Sequence, residues 1–264
     1  MKKVISFLLV LSLILSLTAS ALADAPFRAW NKEDSYQYVQ FGVYPQTTVD
    51  HKELGEDGKE HNVWADDPLI WLVLDTFEDE GVAFLLTEYV LDAYHVLEGA
   101  DKKYARYIEN YEDSDLFAWM NGEMVDHMLT AEEQSALDDS RGKLFLMTNE
   151  EYIDRYGWPK YIDDKHSAAR MCDCTAYALE RGVYHGPYKG GWGATFWCNR
   201  LRGGKGNQRM QIVGFDGHQS WAGVTRTNVG VRPSIRIRMS DVAFVSGSGT
   251  KNDPYVAVAV TKEN

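Results

Sequence analysis

The chain has 264 residues, of which 45% are hydrophobic, and a formal net charge of −12 at pH 7. This acidic balance argues against nucleic acid or an anionic membrane as a partner, because both are bound by clustered lysine and arginine. A chain of this length can bury a good core as one domain of about 200 residues with a small appendage.

Residues 1–23 have the three parts of a cleavable secretory signal peptide. Two lysines open the chain, residues 4–17 are almost entirely apolar, and Ala21 and Ala23 occupy the two positions that a signal peptidase reads. A retained anchor is the weaker alternative, because the apolar run is shorter than the roughly 20 residues that span a bilayer. We therefore expect cleavage near Ala23, a secreted or cell-surface location, and no membrane span in the mature chain.

The rest of the chain divides into three parts by composition. Residues 24–35 form a polar lead-in, residues 36–239 hold the elements of one main domain, and residues 240–264 form a C-terminal hairpin and tail. The mixture of short apolar runs and short helical patterns predicts an α+β fold. We expect a single irregular domain with a small antiparallel sheet, several short helices and the terminal hairpin.

Strand patterns come first along the chain. Alternation over residues 36–44 predicts a strand, and the polar residues 49–63 predict a surface loop. Residues 68–75 and 82–87 are dense apolar runs separated by an acidic turn. They predict a hairpin that is buried on both faces.

Helical patterns follow. Apolar residues recur at helical spacing from Ser114 to Met128, which predicts a helix. Thr130 followed by Glu133 predicts a capping box, in which each side chain bonds the backbone N–H of the other residue. A new helix is therefore expected to begin after Thr130.

A strand and two further helices are predicted beyond these. The apolar run 143–147 predicts a strand that leads into a second capping box, Thr148 with Glu151, and a helix to about residue 156. Residues 175–181 predict another helix. Gly182 suits its C-terminal end, where a positive φ is often required.

The chain changes character at residue 186. Residues 186–230 are rich in Gly, Trp, Asn, Gln and Arg, and predict either a long structured loop or a set of short irregular strands. Clean alternation returns in residues 228–238, which predicts a strand. Residues 242–245 and 255–260 flank a polar tip and predict a hairpin.

The order of seven segments carries a resemblance to a known family. The segments are FGVYPQT at 41–47, IWLVL at 70–74, LLTEYVLD at 85–92, SDLFAWMN at 114–121, KLFLMTNEE at 143–151, RMCDCTAYA at 170–178 and GVRPSIR at 230–236. Together they resemble the uncharacterised bacterial family called domain of unknown function 6273, found largely in exported or surface proteins. The resemblance covers roughly residues 36–238.

Two arginines of that family's pattern are altered here. Phe117 stands where the family has an arginine, and Arg200 is displaced by one place within residues 196–200. The Trp- and Asn-rich region that ends in Gly-Val-Arg-Pro also resembles C-type-lectin-like domains of the formylglycine-generating-enzyme type. That resemblance implies a fold and no activity, because fold and function are separable.

Three cysteines leave their pairing open. In an oxidising compartment Cys198 could form a disulfide with Cys172 or Cys174, with the third thiol left over. A zinc site formed by the three cysteines with His166 or His185 is a weaker alternative, since zinc sites favour C-x2-C rather than C-x-C spacing. We expect no cofactor and no metal.

No catalytic residue is singled out. The histidines are scattered, and neither an H-E-x-x-H nor a G-x-S-x-G motif is present. Cys198 with His218 and Asp216 could form a thiol triad, but a disulfide or a buried thiol is the simpler interpretation. Glycoside hydrolysis needs two carboxylates, and nothing in the sequence selects one pair among Asp163–Asp164, Glu132–Glu133 and Asp138–Asp139.

The best candidate for a binding surface is the segment 186–221. Its tryptophans offer flat faces on which sugar rings can stack, and its polar side chains offer hydrogen bonds. The alternative is that the tryptophans belong to the core. The candidate ligand-binding residues are Trp192, Trp197, Asn199, Arg200, Arg202, Asn207, Gln208 and Trp221.

The sequence therefore favours a secreted, non-enzymatic module that binds carbohydrate or a cell-surface polymer. An extracellular hydrolase with unidentified carboxylates is the first alternative. A structural or assembly protein, in which the terminal hairpin pairs with a neighbouring chain, is the second.

Overall fold

The computed structural model describes residues 27–30, 35–99, 106–148, 150–152, 170–188 and 190–260. The predicted signal peptide and most of the helix predicted after Thr148 lie outside these residues. Within them, none of the helices has the length and apolar character needed to cross a membrane.

The fold is α+β with mostly sheet and a few short helices, as the sequence predicts. The strands are, in chain order, β1 (Gln37–Leu54), β2 (Glu60–Phe77), β3 (Val82–Thr87), β4 (Asp92–Ala93), β5 (His185–Tyr188), β6 (Gly191–Ala194), β7 (Phe196–Arg202), β8 (Arg209–Val213), β9 (Gln219–Gly223), β10 (Gly230–Val231), β11 (Ser234–Arg238), β12 (Val242–Ser246) and β13 (Tyr255–Ala259).

The strands form two large sheets and a small hairpin. The first sheet has the order β11-β3-β2-β1-β13-β12, and the second has the order β4-β10-β7-β8-β9. Strands β5 and β6 pair only with each other. The prediction of one small antiparallel sheet was therefore wrong in size, and two pairs, β1–β13 and β10–β7, are parallel.

The first two strands are longer than predicted. Residues 49–63, expected to form a loop, continue β1 and β2 as a paired ribbon that turns at residues 55–59. Register shifts on either side of Pro45 let the ribbon pass a residue that has no N–H to donate. The outer ribbon is mostly exposed, so cross-strand pairing rather than burial holds these polar residues extended.

The helices are short and begin where the caps predict. They are α1 (Asp115–Trp119), α2 (Val125–Met128), α3 (Ala131–Ser135) and α4 (Ala176–Glu180), with a π-turn Met120–Met124 between α1 and α2. Ser114 caps α1, and Thr130 with Glu133 forms the predicted capping box of α3. Thr148 and Glu151 make both bonds of the second capping box, at 2.8 and 3.1 Å.

Helix α4 ends as its glycine predicts. Gly182 has φ of 98°, a conformation that a side chain would strain. The N–H of Val183 donates to the Ala178 carbonyl and the N–H of Gly182 donates to the Leu179 carbonyl. This pair of hydrogen bonds is a Schellman motif, and it turns the chain from α4 into β5.

The strand predicted at 143–147 does not form. Phe145 makes a single bridge to Ser234 of β11, with backbone bonds of 3.1 and 2.8 Å. The side-chain amide of Asn121 bonds both backbone groups of Leu144, so those groups do not pair with a strand. The segment is apolar because it packs into the core.

The last two predicted strand regions differ in outcome. Residues 228–238 form two strands, since Pro233 separates β10 of the second sheet from β11 of the first. The terminal hairpin forms as β12 and β13. It joins the first sheet through the parallel pairing of β13 with β1.

Both faces of the first sheet are buried. One face, with Trp71 and Leu85, packs in a cluster with the residues of the helical segment 111–129. The other face, with Leu72 and Phe84, packs in a second cluster that includes Phe196 of the second sheet. The two sheets and the helices therefore pack together around these two clusters.

Candidate functional site

Two of the predicted ligand-binding residues are structural. Trp197 is fully buried, and its indole N–H donates to the Tyr94 carbonyl at 2.9 Å. Gln208 is buried and its amide bonds both backbone groups of Ile108. Neither side chain can reach a ligand, because each is used to join distant segments of the core.

Three others meet on one face of the second sheet. The Arg202 guanidinium lies 4.0 Å from the centre of the Trp221 ring, and that of Arg200 lies 6.0 Å from it. Arg200 also forms an ion pair with Glu150 at 2.7 Å. The Trp221 face is thus already covered by an arginine, a contact that is attractive in itself.

The remaining predicted residues lie apart from this group. Trp192 is 57% exposed on β6 and stacks on His185, with ring centres 5.1 Å apart. Asn199 bonds the Met147 carbonyl through its backbone, and Asn207 is exposed in the turn between β7 and β8. The eight predicted residues therefore do not form a single site.

The disulfide considered from the sequence is absent, since Cys172, Cys174 and Cys198 are all free thiols. Cys172 lies 3.2 Å from the Glu88 carbonyl oxygen, in the core cluster that also holds Cys198. Burial raises the pKa of Cys198 to about 12. Such a thiol is a poor nucleophile at neutral pH.

The triad of Cys198, His218 and Asp216 is also wrong. Cys198 is fully buried on β7, whereas His218 and Asp216 line a cleft along β9, and β8 lies between these two strands. Asp216 bonds the backbone N–H of His218 at 3.0 Å, which is a turn contact. No thiol among the described residues lines that cleft.

This cleft is the main concave feature of the second sheet. It has a volume of about 630 Å³ and runs along β9, the edge strand. Ile212, Ser220 and Ala222 form its floor, because the register places them on the same face of β8 and β9. Its walls are Tyr184, Thr195, Arg209, Phe215, Asp216, His218, Trp221, Thr225, Arg226 and Asn228.

A tight turn fixes one wall of the cleft. The N–H of Gly214 donates to the His218 carbonyl at 2.7 Å, and the N–H of Phe215 donates to the Thr195 hydroxyl at 3.1 Å. The buried guanidinium of Arg170 donates to the Gly217 carbonyl at 2.6 Å. These bonds hold the turn in place beside the cleft.

Two glycines let the β5–β6 hairpin pack against the same turn. A Cβ on Gly186 would lie 2.8 Å from the Phe215 ring, and one on Gly193 would lie 2.1 Å from the Phe215 carbonyl oxygen. Tyr184 meets Phe215 edge-on at 5.4 Å. Close packing of the hairpin therefore positions both aromatic walls.

The charge of this region is opposite to that of the whole chain. Residues 196–229 contain five basic residues and one acid, Asp216, although the chain as a whole has a net charge of −12. Arg209 and Arg226 line the cleft itself. The cleft thus combines aromatic rings, hydroxyl and amide groups, and guanidinium groups that favour anions.

Four residues that line the cleft were not predicted from the sequence: Tyr184, Phe215, Arg226 and Asn228. The turn and the hairpin that bring them together are separate in sequence, so only the basic, aromatic composition of the region pointed to a binding site. Comparisons with family models, with curated proteins and with solved structures give no match to this chain. The family resemblance described above stays a prediction.

Proposed function

We propose that this protein is a non-enzymatic module that binds a carbohydrate or cell-surface polymer carrying anionic groups in the cleft along β9. The observation that carries the proposal is the presence of aromatic walls and two arginines in one open cleft. A volume of about 630 Å³ suits a few sugar rings, since small-molecule pockets range from about 300 to 1,000 Å³.

The aromatic side chains support sugar binding. Tyr184 is 53% exposed and Phe215 is half-buried, so each keeps part of its ring towards solvent. Ser220, Thr225 and Asn228 offer hydrogen-bond donors and acceptors beside them. An apolar ring face next to such groups is what a sugar ring requires.

The arginines support an anionic ligand. Guanidinium groups form two parallel hydrogen bonds to a carboxylate or phosphate, and these charged bonds are stronger than neutral ones. Arg209 and Arg226 lie in the cleft, in a region with one acidic residue. A neutral glycan has no anionic group with which these guanidinium groups could form charged hydrogen bonds.

The cleft fits binding better than glycoside hydrolysis. Hydrolysis generally uses two carboxylates, and Asp216 is the single carboxylate that lines the cleft among the described residues. Of the pairs considered from the sequence, Glu133 caps a helix and Asp138 contacts Arg236. Asp163 and Asp164 lie outside the described residues.

The predicted signal peptide and family resemblance complete the proposal. We infer that the protein acts outside the cell, where polymers of this kind are found, and that its fold is C-type-lectin-like. An irregular second sheet beside a stable framework agrees with such an arrangement. Direct localisation of the protein, and detection of cleavage near Ala23 by N-terminal sequencing, would test this part.

The binding experiment compares polymers of different charge. Acidic polysaccharides with carboxylate or phosphate groups, a neutral polysaccharide and single-stranded DNA are each titrated against the purified protein. We expect retention on the acidic polysaccharides. Tyr184→Ala and Arg226→Ala should each weaken that binding by about tenfold, which corresponds to about 1.4 kcal/mol.

Matched controls lie outside the cleft. Trp192→Ala removes an exposed aromatic ring and Arg106→Ala removes an exposed guanidinium, and both should bind as the wild type does. Binding to no polysaccharide, equal binding in both cleft variants, or equally tight binding to DNA would each contradict the proposal.

A further inference from the structure

Three different ligating atoms converge beside the β5–β6 hairpin. They are a carboxylate oxygen of Asp173, Sγ of Cys174 and a ring nitrogen of His185, which all lie within 4.8 Å of one another. Asp173 Oδ1 and His185 Nε2 are 2.8 Å apart. This cluster lies outside the residues that line the cleft.

The backbone holds the cluster from both sides. Val90 donates to the Asp173 carbonyl and accepts from the N–H of Thr175, each at 3.0 Å, which fixes Asp173 and Cys174. His185 opens β5, where it pairs with Ala194, and the Ala194 N–H donates to the Cys172 carbonyl at 2.7 Å. The ligating atoms are therefore positioned by paired backbone.

The cluster is a better candidate for a metal site than for a nucleophile. A nucleophilic cysteine needs a lowered pKa. Burial and the Asp173 carboxylate instead raise the pKa of Cys174 to about 12. A metal ion that binds the sulfur displaces the thiol proton to water, so it does not need an activated thiol.

We propose that Asp173, Cys174 and His185 bind a zinc ion through one carboxylate oxygen, one thiolate sulfur and one imidazole nitrogen. Zinc takes this mixed set of ligands in four-coordinate sites, and soft thiolate selects it over magnesium or calcium. The Asp173 side chain is 51% exposed, so water can supply a fourth ligand.

The structure changes which residues are candidates for zinc. The sequence offered the three cysteines with a histidine, but Cys172 and Cys198 are buried and are absent from the cluster. Asp173 takes their place. Trp192 stacks on the His185 ring and limits its rotation, which holds the imidazole towards the other two ligands.

The experiment uses cobalt(II) as a spectroscopic substitute for zinc in the purified protein. We expect a thiolate-to-cobalt charge-transfer band that disappears when one equivalent of zinc is added. Cys174→Ser and His185→Ala should remove the band. Asp173→Ala, at a side chain that is 51% exposed, should weaken metal binding by more than about tenfold.

The control is Cys172→Ser, which removes a neighbouring thiol outside the cluster and should keep the band. Zinc should also raise the thermal midpoint of the wild type and not that of Asp173→Ala, since a ligand stabilises only the state that binds it. The proposal would be overturned if the wild type had no band or if Cys174→Ser kept it. It would also be overturned if the control Cys172→Ser lost the band while the ligand variants kept it.

Discussion

The two large sheets of this molecule are built for different purposes. All six residues of β3 in the first sheet are buried, whereas all five residues of β9 in the second sheet are half-buried. The first sheet is packed on both faces and is a framework. The second sheet ends in a free edge strand, and the candidate cleft lies along that edge.

This difference teaches where substitutions should act. In the first sheet a large side chain is surrounded by core, so its loss reduces the stability of the whole domain. Beside the second sheet the same residue types are partly exposed, and their loss should alter binding more than folding. Measurements of stability and binding at three positions test this division.

The largest effect is expected at Trp71 in the first sheet. Its side chain is fully buried and its indole N–H donates to the Phe41 carbonyl at 2.7 Å. Trp71→Ala should lower the free energy of unfolding by about 3–5 kcal/mol, because it leaves a cavity and an unpaired carbonyl. Urea denaturation measures this change.

The comparison for Trp71 is an exposed tryptophan on the hairpin beside the second sheet. Trp192→Ala should change the free energy of unfolding by no more than about 0.5 kcal/mol, as exposed side chains generally do. If both variants lost the same free energy of unfolding, the first sheet and the cleft region would contribute equally to stability, and the division between them would be wrong.

An intermediate effect is expected at Gly193, where the hairpin meets the cleft wall. A methyl group there would meet the Phe215 carbonyl oxygen at 2.1 Å, so the backbone must move apart. Gly193→Ala should cost about 1–3 kcal/mol of stability and should also weaken polymer binding. Denaturation and polymer titration measure the two effects.

The matched control is Gly204→Ala. Gly204 lies in the turn between β7 and β8, and an added methyl group there would have no neighbour within 4 Å. We expect wild-type stability and affinity. If Gly193→Ala behaved in the same way, the hairpin would not be what positions Phe215.

The smallest effect is a pH dependence at Asp138, whose carboxylate contacts Arg236 of β11 in the first sheet. Burial alone would raise the pKa of Asp138, but hydrogen bonds from Ser140 and the charges of Arg236 and Arg238 outweigh it and lower the pKa. A lowered pKa in the folded state stabilises the protein above the pKa of the unfolded chain. That stability is lost as the pH falls through the folded value.

Ser140→Ala tests this directly. Removing the hydroxyl should raise the pKa of Asp138 towards its ordinary value and reduce the acid-range dependence of the free energy of unfolding. NMR titration of the Asp138 carboxyl and urea denaturation at several pH values measure both. In an Asp138→Asn background the same change should have no pH-dependent effect, and a retained effect would assign it to another group.

The sequence predicted the ends of helices well, because caps depend on residues only a few positions apart. The capping boxes at Thr130 and Thr148, and the helix end at Gly182, depend on nearby bonds and were readable from spacing. Long-range pairing was not. The polar ribbon of β1 and β2 is extended because of its partner strand, which no local pattern records.

The candidate site was predictable only by region. Basic and aromatic composition identified residues 186–230 correctly as unusual, but it could not separate the buried Trp197 from the exposed Trp192. Trp197 lies on β7, where Phe196 and Cys198 are buried too, whereas Trp192 lies on the β5–β6 hairpin outside both large sheets. Tyr184 reaches the cleft because a Schellman turn ends helix α4 just before it.

The parallel pairing of β13 with β1 has a consequence for folding. Val39 pairs with Tyr255, so the centre of the first sheet stays incomplete until a segment near the other end of the described chain arrives. Contacts so distant in sequence close slowly, because the chain must lose much conformational freedom before they form. Until then the edge of β1 is open to wrong partners.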